Sequence, residues 1–481
     1  MRRALWLLAI AGLAACRPDG GAGSKPLVLR VGSSMDLTQP SPLEISGMGA
    51  SIADQVFRGL MRVSAAGVAE ADLAESWSFA EDGRLIRLKL KKGVKFSDGT
   101  PLTIREVSET FRKATAADVW GMDEIRAFRT VGEDQLEVEP VLPWRVPSGL
   151  TVGIMGGDAA HPVGTGPMVV GEHDATRMVL QPNARWGGAP AGVQAISFHR
   201  FETASQEWSR LLGGEVDLVT FVPWAKVDLL KSITSVRLVS SLSKSVVEIT
   251  FVAPQAPFDR AEARYALSLA INRAQLVDSA MRGHGRPARG VVWPEAADFD
   301  ASLPDYPFDP GDARRRLIAL GCTAGDDGRL RWQGQPLELH VAYWTGFSEV
   351  ERVGLLVQRQ LADIGVTAIF EGLPIEQMNR VVRERAPRAV VLYRHATSDA
   401  LSDREAQALL DGARPPASLG ELKKASAALQ RRMRDEPPSL YLIWPDRLDV
   451  IDRRFCGLPT LPDGPEAELH RVHRCAPGEA Q

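Results

Sequence analysis

Two Asp-Gly dipeptides within a stretch of alternating apolar and charged residues constrain the fold of this chain most. The stretch covers residues 77–102 and reads WSFAEDGRLIRLKLKKGVKFSDGTPL. Asp82-Gly83 and Asp98-Gly99 favour tight hairpin turns, because glycine adopts positive φ at little cost. Between the turns, apolar and charged side chains alternate, which predicts strands with one dry and one wet face. The stretch is therefore predicted to be a run of short strands joined by turns.

Helices are predicted on both sides of this stretch. Residues 51–63 carry apolar side chains at helical spacing and are predicted to form an amphipathic helix. Thr103 and Glu106 form a capping box that predicts a helix from residue 104. Later helices are predicted at 260–271, capped by Asp259 and Glu262, at 310–320, begun by Asp309-Pro310, and at 349–364, ended by Gly365. With a strand at 27–32 and more strands between these helices, the chain is predicted to be α/β with mixed sheets and more than one domain.

The first residues have the pattern of an export signal. A basic start, Met1-Arg2-Arg3, precedes eleven uncharged apolar residues at 4–14, too few to span a membrane. Leu13-Ala14-Ala15-Cys16 then resembles the bacterial lipobox, whose cysteine receives a lipid. The alternative is an ordinary buried helix with an unrelated cysteine. We expect a signal peptide at 1–15, lipidation of Cys16, and a flexible Gly- and Pro-rich tether from there to residue 26.

Charge and cysteine content narrow the function classes. The net charge of −3 argues against a nucleic-acid or polyanion partner. With Cys16 lipidated in an oxidising compartment, Cys456 and Cys475 form the preferred disulfide and Cys322 stays a buried thiol, although the sequence leaves the pairing open.

Patterns typical of enzymes and metal sites are weak or missing in the sequence. It contains no GxSxG, HExxH or P-loop pattern, so we expect no catalytic residues and no cofactor. His470, His473 and Cys475 have side chains that can bind metals, but a solvated tail with a disulfide is favoured and no metal site is predicted.

Several blocks in order resemble the family 5 extracellular solute-binding proteins, the large binding lipoproteins of peptide, nickel and related ABC importers. The blocks are LAESWSFAEDGRLIRLKLKKGVKFSDGTPLTIREV at 73–107, VGTGP at 163–167, QPNARWGG at 181–188, GEVDL at 214–218, APFDRAEARYALSLAINRAQLV at 256–277 and DPGDARRRLIALG at 309–321. Their glycines and aromatics mostly set turns and core anchors, so they identify the fold rather than the site.

The resemblance implies a two-lobed periplasmic-binding-protein-like fold of type II, cluster C style, with mixed sheets and an extra domain. It places lobe I at 27–48, 164–245 and 447–481, a shortened extra domain at 49–163, and lobe II at 246–446. Such proteins close around a ligand in the interlobe cleft. The implied function is capture of a peptide or other small solute and its delivery to an ABC permease, by a lipid-anchored, monomeric protein on the extracytoplasmic side of the envelope.

Cleft residues are carried over from the family by position. The segment after the Gly-x-x-Asp block nominates Phe221 and Trp224, the segment after the strand near 338–344 nominates Tyr343 and Trp344, and the stretch before the last crossover nominates Tyr441 and Trp444. Aromatic rings suit a cleft that holds varied solutes, and the alternative for each ring is a core position.

One departure from the family pattern bears on the cargo. Peptide binders of this family typically carry a Trp-x-x-Asp segment whose carboxylate pairs with the peptide ammonium group. The matching place here is Tyr393-Arg394-His395-Ala396, which has no acid. A guanidinium favours carboxylates instead, so Arg394 and His395 are nominated as ligand contacts, and amino-terminal recognition of peptides is not expected. Regions 115–160 and 395–425 are also short, which leaves a second reading open: a binding-fold lipoprotein that no longer transports and acts as a sensor or envelope scaffold.

Overall fold

The computed structural model describes residues 27–43, 47–64, 69–119, 121–157, 161–296, 299–345, 348–384, 389–395, 418–461 and 464–479. The predicted leader, Cys16 and the tether lie outside the described residues. Within the described ranges, no helix combines the length and the apolar character needed to cross a membrane.

The first third of the chain forms a small antiparallel domain with its own core. Strands β4, β5, β7 and β6 pair in that order, and Asp82 and Gly83 make the predicted turn between β4 and β5 with positive φ. The capping box of Thr103 and Glu106 is present at the start of α3. The elements up to residue 163 are β1 Val28–Ser33, α1 Gly47–Ser51, α2 Ala53–Val56, β2 Met61–Val63, β3 Ala69–Ala71, β4 Ala74–Ala80, β5 Leu85–Leu90, α3 Ile104–Ala116, β6 Ile125–Val131, β7 Gln135–Pro140, β8 Gly156–Gly157 and β9 Pro162–Val163, with 3₁₀ turns at Met122–Glu124 and Ser148–Thr151.

The helix predicted over residues 51–63 is wrong beyond its first half. Helix α2 ends at Val56, Phe57 is extended, and Met61 already belongs to β2. A Cβ at Gly59 would lie 2.5 Å from the carbonyl oxygen of Thr151, so the backbone passes that residue too closely for any helical side chain. Ile52, Val56, Phe57, Leu60 and Met61 are nevertheless all buried, so the apolar spacing indicated which side chains are buried but not the backbone conformation.

A twelve-stranded mixed sheet occupies the rest of the molecule. Its path is β10-β11-β12-β1-β13-β23-β15-β22-β20-β21, and β14 and β16 also pair with β23. Its elements and those packed on it are β10 Met168–His173, β11 Arg177–Pro182, β12 Ala195–Arg200, α4 Ala204–Leu212, β13 Leu218–Val219, α5 Val227–Lys231, β14 Val236–Leu242, β15 Ser245–Phe251, α6 Ala261–Leu269, α7 Arg273–Ala280, β16 Gly285–Pro287, α8 Pro310–Ala319, β17 Thr323–Ala324, β18 Leu330–Trp332, β19 Gln335–Pro336, β20 Glu338–Trp344, α9 Ser348–Asp363, β21 Thr367–Leu373, α10 Ile375–Arg383, β22 Ala389–His395, α11 Leu419–Asp435, β23 Ser439–Asp452, β24 Phe455–Cys456 and β25 His473–Arg474, with 3₁₀ turns at Trp224–Lys226 and Pro465–Arg471.

The later helices begin and end largely where their caps predict. Asp309 caps α8 through its side chain, and Gly321 and Gly365 follow α8 and α9 with positive φ. The predicted cap of α6 by Asp259 is wrong, because the N-cap residue is Arg260 and no side chain caps that helix. Backbone bonds from Asp259 to Gln255 and from Arg260 to the carbonyl of residue 257 extend the preceding turn by one residue.

Three main clusters of buried side chains lie along the chain. One, from Leu60 to Ile154, belongs to the small antiparallel domain. A second joins β1 and its neighbours to the C-terminal 3₁₀ turn. The third is the largest and runs from Leu211 to Val450 across the main sheet. The small domain thus has a core of its own, while the boundaries predicted for the two lobes remain predictions.

The C-terminal cysteines form a disulfide. Cys456 and Cys475, at β24 and just after β25, are joined, as preferred from the sequence. Cys322, just after α8, is a free thiol with 2% exposure, and its burial raises its pKa.

A buried carboxyl on α4 predicts a pH dependence of stability. Burial of Glu207 raises its pKa to about 7, and hydrogen bonds with Ser34 only partly offset this. Between about pH 4.5 and pH 7 the native state therefore holds a proton that the unfolded chain has lost, so stability falls as the pH rises through this range. We expect Glu207→Gln to raise the free energy of unfolding by roughly 2 to 3 kcal/mol at pH 8 and to change it little at pH 4. Urea unfolding at both pH values measures this, and an equal effect at both would contradict it.

Candidate functional site

Strand β23 passes from one half of the main sheet into the other. Its residues Asp446–Asp452 pair with β14, and its residues 439–443 pair with β15. Strand β14 continues into β15 through Ser243 and Lys244. This connection lies beside the antiparallel Trp444-Pro445 segment of β23, and both segments link the two halves of the sheet. Ser243 donates its N–H to the Pro445 carbonyl, 3.0 Å away, within the crossing itself. We call Ser243, Lys244, Trp444 and Pro445 the crossing.

Two predicted aromatic residues flank the crossing on the side of β14. Phe221 has 59% exposure and a positive φ of 58°. The guanidinium carbon of Arg447 lies 3.7 Å from the centroid of its ring, and the Phe221 N–H donates to Asp449 Oδ1 at 3.2 Å. Trp224 is buried, and its Nε1–H donates to the Asp446 carbonyl at 3.0 Å. Phe221 therefore presents an open aromatic face, held in place by the strand beneath it.

A buried charge network lies below Phe221. Arg447 Nε donates to Asp449 Oδ1 at 3.1 Å, and its Nη2 pairs with Glu466 of the C-terminal 3₁₀ turn. All three side chains are more than nine-tenths buried. Burial lowers the pKa of Arg447, but the nearby carboxylates of Glu466 and Asp449 raise it by more. The pKa of Arg447 is therefore raised above its ordinary value. Burial raises the pKa of Asp449 to about 6, although Arg447 opposes this.

Two further predicted aromatics lie in the interior. Tyr441 and Trp444 have 0% and 1% exposure and pack in a cluster with Trp293, Leu429 and Met433. The Tyr441 carbonyl accepts a hydrogen bond from Arg273 at 2.7 Å. Both rings are therefore core side chains, Trp444 within the crossing and Tyr441 close to it.

The remaining predicted residues lie at the carboxyl ends of two strands. Tyr343 and Trp344 end β20 and are half-buried, and burial with Glu351 nearby raises the pKa of Tyr343. Arg394 and His395 end β22, where their backbones pair with β15 beside the crossing. The side chains of Arg394 and His395 lie outside the described part of the structure. Because β20 and β22 are parallel, their ends reach the same edge of the sheet.

The sequence reasoning missed the charged residues of the crossing strand. Asp446, Arg447 and Asp449 interrupt the otherwise apolar run SLYLIWPDRLDVID. Ser240 donates to the Asp446 carboxylate at 2.8 Å, and His284 lies 3.6 Å from it. Charges inside an apolar strand are a usable signal, since a buried charge needs a partner.

The C-terminal residues with metal-binding side chains have other partners. His470 contacts Gln55, and burial together with Arg471 and Arg58 lowers its pKa to about 4. His473 contacts Glu479. Among the described residues, the one grouping with ligand-like spacing is Cys456, Cys475 and Glu479, and its two sulfurs are joined in the disulfide.

Comparison with known proteins places these features in context. Residues 69–404 match the family model of bacterial extracellular solute-binding proteins, family 5 middle. The glutathione-binding protein GsiB of Salmonella paratyphi A is 25% identical over 385 residues, which cover 76% of this chain and 72% of that protein.

Solved structures share the fold at low sequence identity. NikA from Brucella suis in complex with Fe(III)-EDTA has a TM-score of 0.80 at 16% identity, over 93% of this chain and 100% of that one. AppA from Bacillus subtilis in complex with a nonapeptide has a TM-score of 0.73 at 17% identity, over 94% and 100%. This likeness shows the two-lobed binding-protein fold.

Proposed function

The chain belongs to the bacterial extracellular solute-binding proteins of family 5, and we propose that it captures a short peptide or another small solute between its lobes and delivers it to an ABC permease. The main observation in support of this proposal is the crossing, beside which the Phe221 ring is exposed. A connection made of two paired strands joins two halves that move about it, and an exposed ring beside such a connection offers contact area at low rotamer cost. The protein acts as a monomer and has no enzymatic activity.

We further propose that the protein is held at the membrane by a lipid on Cys16, on the extracytoplasmic side. The leader pattern before Cys16 and the Gly-rich residues after it support this. Mass spectrometry of the purified protein is expected to show a diacylglycerol-modified cysteine at the start of the mature chain, and Cys16→Ser to release the protein from membranes. An unmodified chain that keeps residues 1–15 would contradict it.

The proposed cargo is held by its carboxylate groups rather than by its ammonium group. Arg394 stands where peptide binders of the family typically carry an acid, and its backbone lies beside the crossing. Guanidinium binds carboxylates through two parallel hydrogen bonds. Relatives are named for binding glutathione, a short peptide with more than one carboxylate. Glutathione and other short carboxylate-rich peptides are therefore the first solutes to test.

Phe221→Ala is expected to weaken solute binding about tenfold, because an exposed ring that contacts the cargo loses its contact area. The melting temperature should stay close to that of the parent chain, since the ring has 59% exposure. Calorimetry with glutathione and with di- to pentapeptides measures the affinity. Phe308→Ala is the matched control, because Phe308 has 50% exposure at a different place.

Two results would count against the proposal. Tight peptide binding that is lost on N-acetylation would contradict recognition through carboxylates. If no solute in a broad panel, including nickel–histidine complexes, raises the melting temperature, the alternative of a transport-inactive sensor or scaffold is favoured, because a ligand of the native state must stabilise it.

A further inference from the structure

A basic cavity lies between the small antiparallel domain and the main sheet. It has a volume of about 710 Å³, within the size range of ligand pockets. Five of its lining residues are cations and none is an acid: Arg58, Lys91, Lys92, Lys95 and Arg185. None of the crossing residues lines it, so the cavity is separate from the proposed solute site.

Most of these cations lack a carboxylate partner. Lys91 and Lys95 form no side-chain ion pair or hydrogen bond within the described residues, and Lys92 lies 3.8 Å from Asp134. Arg185 donates to the Ser97 carbonyl at 3.0 Å, and the Asp98 carboxylate next to Ser97 interacts with its charge without forming an ion pair within the described residues. Only Arg58 is closely paired, with Asp72. The protein has a net charge of −3, so this positive charge is local to the cavity and does not reflect the whole chain.

The cations also disfavour one another. Burial and the neighbouring Arg58 and Arg62 lower the pKa of Lys91. Burial and Arg62 lower the pKa of Arg58 to about 10. Positive groups that outnumber the acids around them repel one another, and an anion bound between them would relieve this repulsion.

A buried hydroxyl at the cavity wall has no partner. Thr165 has 5% exposure, lines the cavity, and its Oγ makes no hydrogen bond within the described residues. Its position is fixed, because a Cβ at Gly164 or Gly166 would collide with the backbone of Gln55 and Val56. A buried hydroxyl without a partner costs free energy, so a ligand that accepts its hydrogen bond would be favoured.

We propose that this basic cavity is a binding site for a phosphate-bearing ligand, held by Lys91, Lys95 and Arg185 with Thr165 as a hydroxyl donor. Phosphate oxygens accept several charge-assisted hydrogen bonds at once, and lysine binds them as a point charge. Trp186, over which Arg58 stacks at 4.6 Å, supplies an apolar wall for the rest of the ligand. The same phosphate chemistry is offered by a free phosphorylated solute and by an anionic phospholipid headgroup.

Calorimetry with inorganic pyrophosphate at low ionic strength tests the site. The double variant Lys91→Gln/Lys95→Gln is expected to bind about tenfold more weakly or worse, because each lost charge removes a charge-assisted bond. Lys423→Gln/Lys424→Gln removes the same charge from positions on α11 that are exposed like Lys91 and Lys95 but do not line the cavity, and it should bind like the parent chain. Equal pyrophosphate affinity of the parent chain and the Lys91/Lys95 variant, together with equal sedimentation of both on phosphatidylglycerol vesicles, would overturn the proposal.

Thr165→Val provides a second test. If Thr165 had only a structural role, the substitution would not lower the affinity for pyrophosphate. Replacing an unpartnered buried hydroxyl by a methyl group should leave the melting temperature unchanged or higher. Pyrophosphate affinity should nevertheless fall about threefold to tenfold. A variant that binds pyrophosphate as the parent chain does would contradict the hydroxyl contact.

Vesicles separate the two sources of phosphate. The parent chain and the Lys91/Lys95 variant are sedimented with phosphatidylglycerol and with phosphatidylcholine vesicles. Because both proteins attach equally through every other part of the chain, a difference between them reports on the cavity alone. Stronger sedimentation of the parent chain with phosphatidylglycerol alone assigns the site to a headgroup, while a difference with pyrophosphate alone assigns it to a free solute. No difference with either probe sinks the proposal. Solute capture at the crossing should be unaffected throughout, which keeps this test independent of the transport proposal.

Discussion

Trp444→Ala is expected to lower the free energy of unfolding by about 3 to 5 kcal/mol. The side chain has 1% exposure and packs with Tyr441 and Trp293 in the cluster next to the crossing. Removing the indole loses its transfer free energy and leaves a cavity that a strand paired on both sides cannot collapse to fill. Because the family position also nominated Trp444 as a ligand contact, the same variant separates the two roles.

Urea unfolding and calorimetry of the solute complex measure the two effects of this variant. A large loss of stability, with a smaller loss in Trp444→Phe, is the expected pattern for a core ring. Unchanged stability with lost solute binding would instead make Trp444 part of the site. Phe308→Ala, at an exposed position, should change stability by less than about 1 kcal/mol and serves as the control.

Arg447→Met is expected to lower the free energy of unfolding by a similar amount, about 3 to 5 kcal/mol at pH 8. The substitution keeps much of the side-chain volume but leaves Asp449 and Glu466 buried without their cation. The pKa of Asp449 is already raised to about 6 while Arg447 opposes the shift, so it rises further in the variant. A carboxyl with a raised pKa loses native-state stability as the pH rises, so the damage should shrink at pH 5.

Denaturant unfolding at pH 5 and pH 8 tests this sign. Arg447→Lys retains a charge and should lose less stability than Arg447→Met. Arg210→Met breaks an exposed ion pair with Glu215 and should change stability by no more than about 1 kcal/mol at either pH. Equal damage to Arg447→Met at both pH values would rule out the charge-network explanation.

The local rules of helix and turn chemistry predicted much of the fold. The capping box of Thr103 and Glu106, the Asp309 cap and the Asp82-Gly83 turn all depend on a few neighbouring residues, and all are present. Residues 51–63 failed because the decisive contact, between Gly59 and the Thr151 carbonyl, joins positions far apart in sequence. Local patterns could not reveal it.

The site was harder to predict than the fold. Alternation identifies the inward face of a strand only where the other face is wet. Strand β23 is buried along almost its whole length, so its pattern could not separate Tyr441 and Trp444 from side chains that face a ligand. Phe221 was nominated by its position in the family, but only the three-dimensional structure shows that its ring is exposed and stacked on Arg447. The basic cavity draws its cations from segments around residues 58, 91–95 and 185, which no sequence window brings together.

Strand β23 also dictates the order in which the molecule is completed during synthesis. Its partners β13, β14, β15 and β16 all come off the ribosome long before residue 439, and each then has an open edge where β23 will pair. Open strand edges attract other chains. Neither half of the sheet is closed until residue 452 has emerged, so a chain truncated before β23 is a substrate for chaperones and proteases rather than a smaller binding protein.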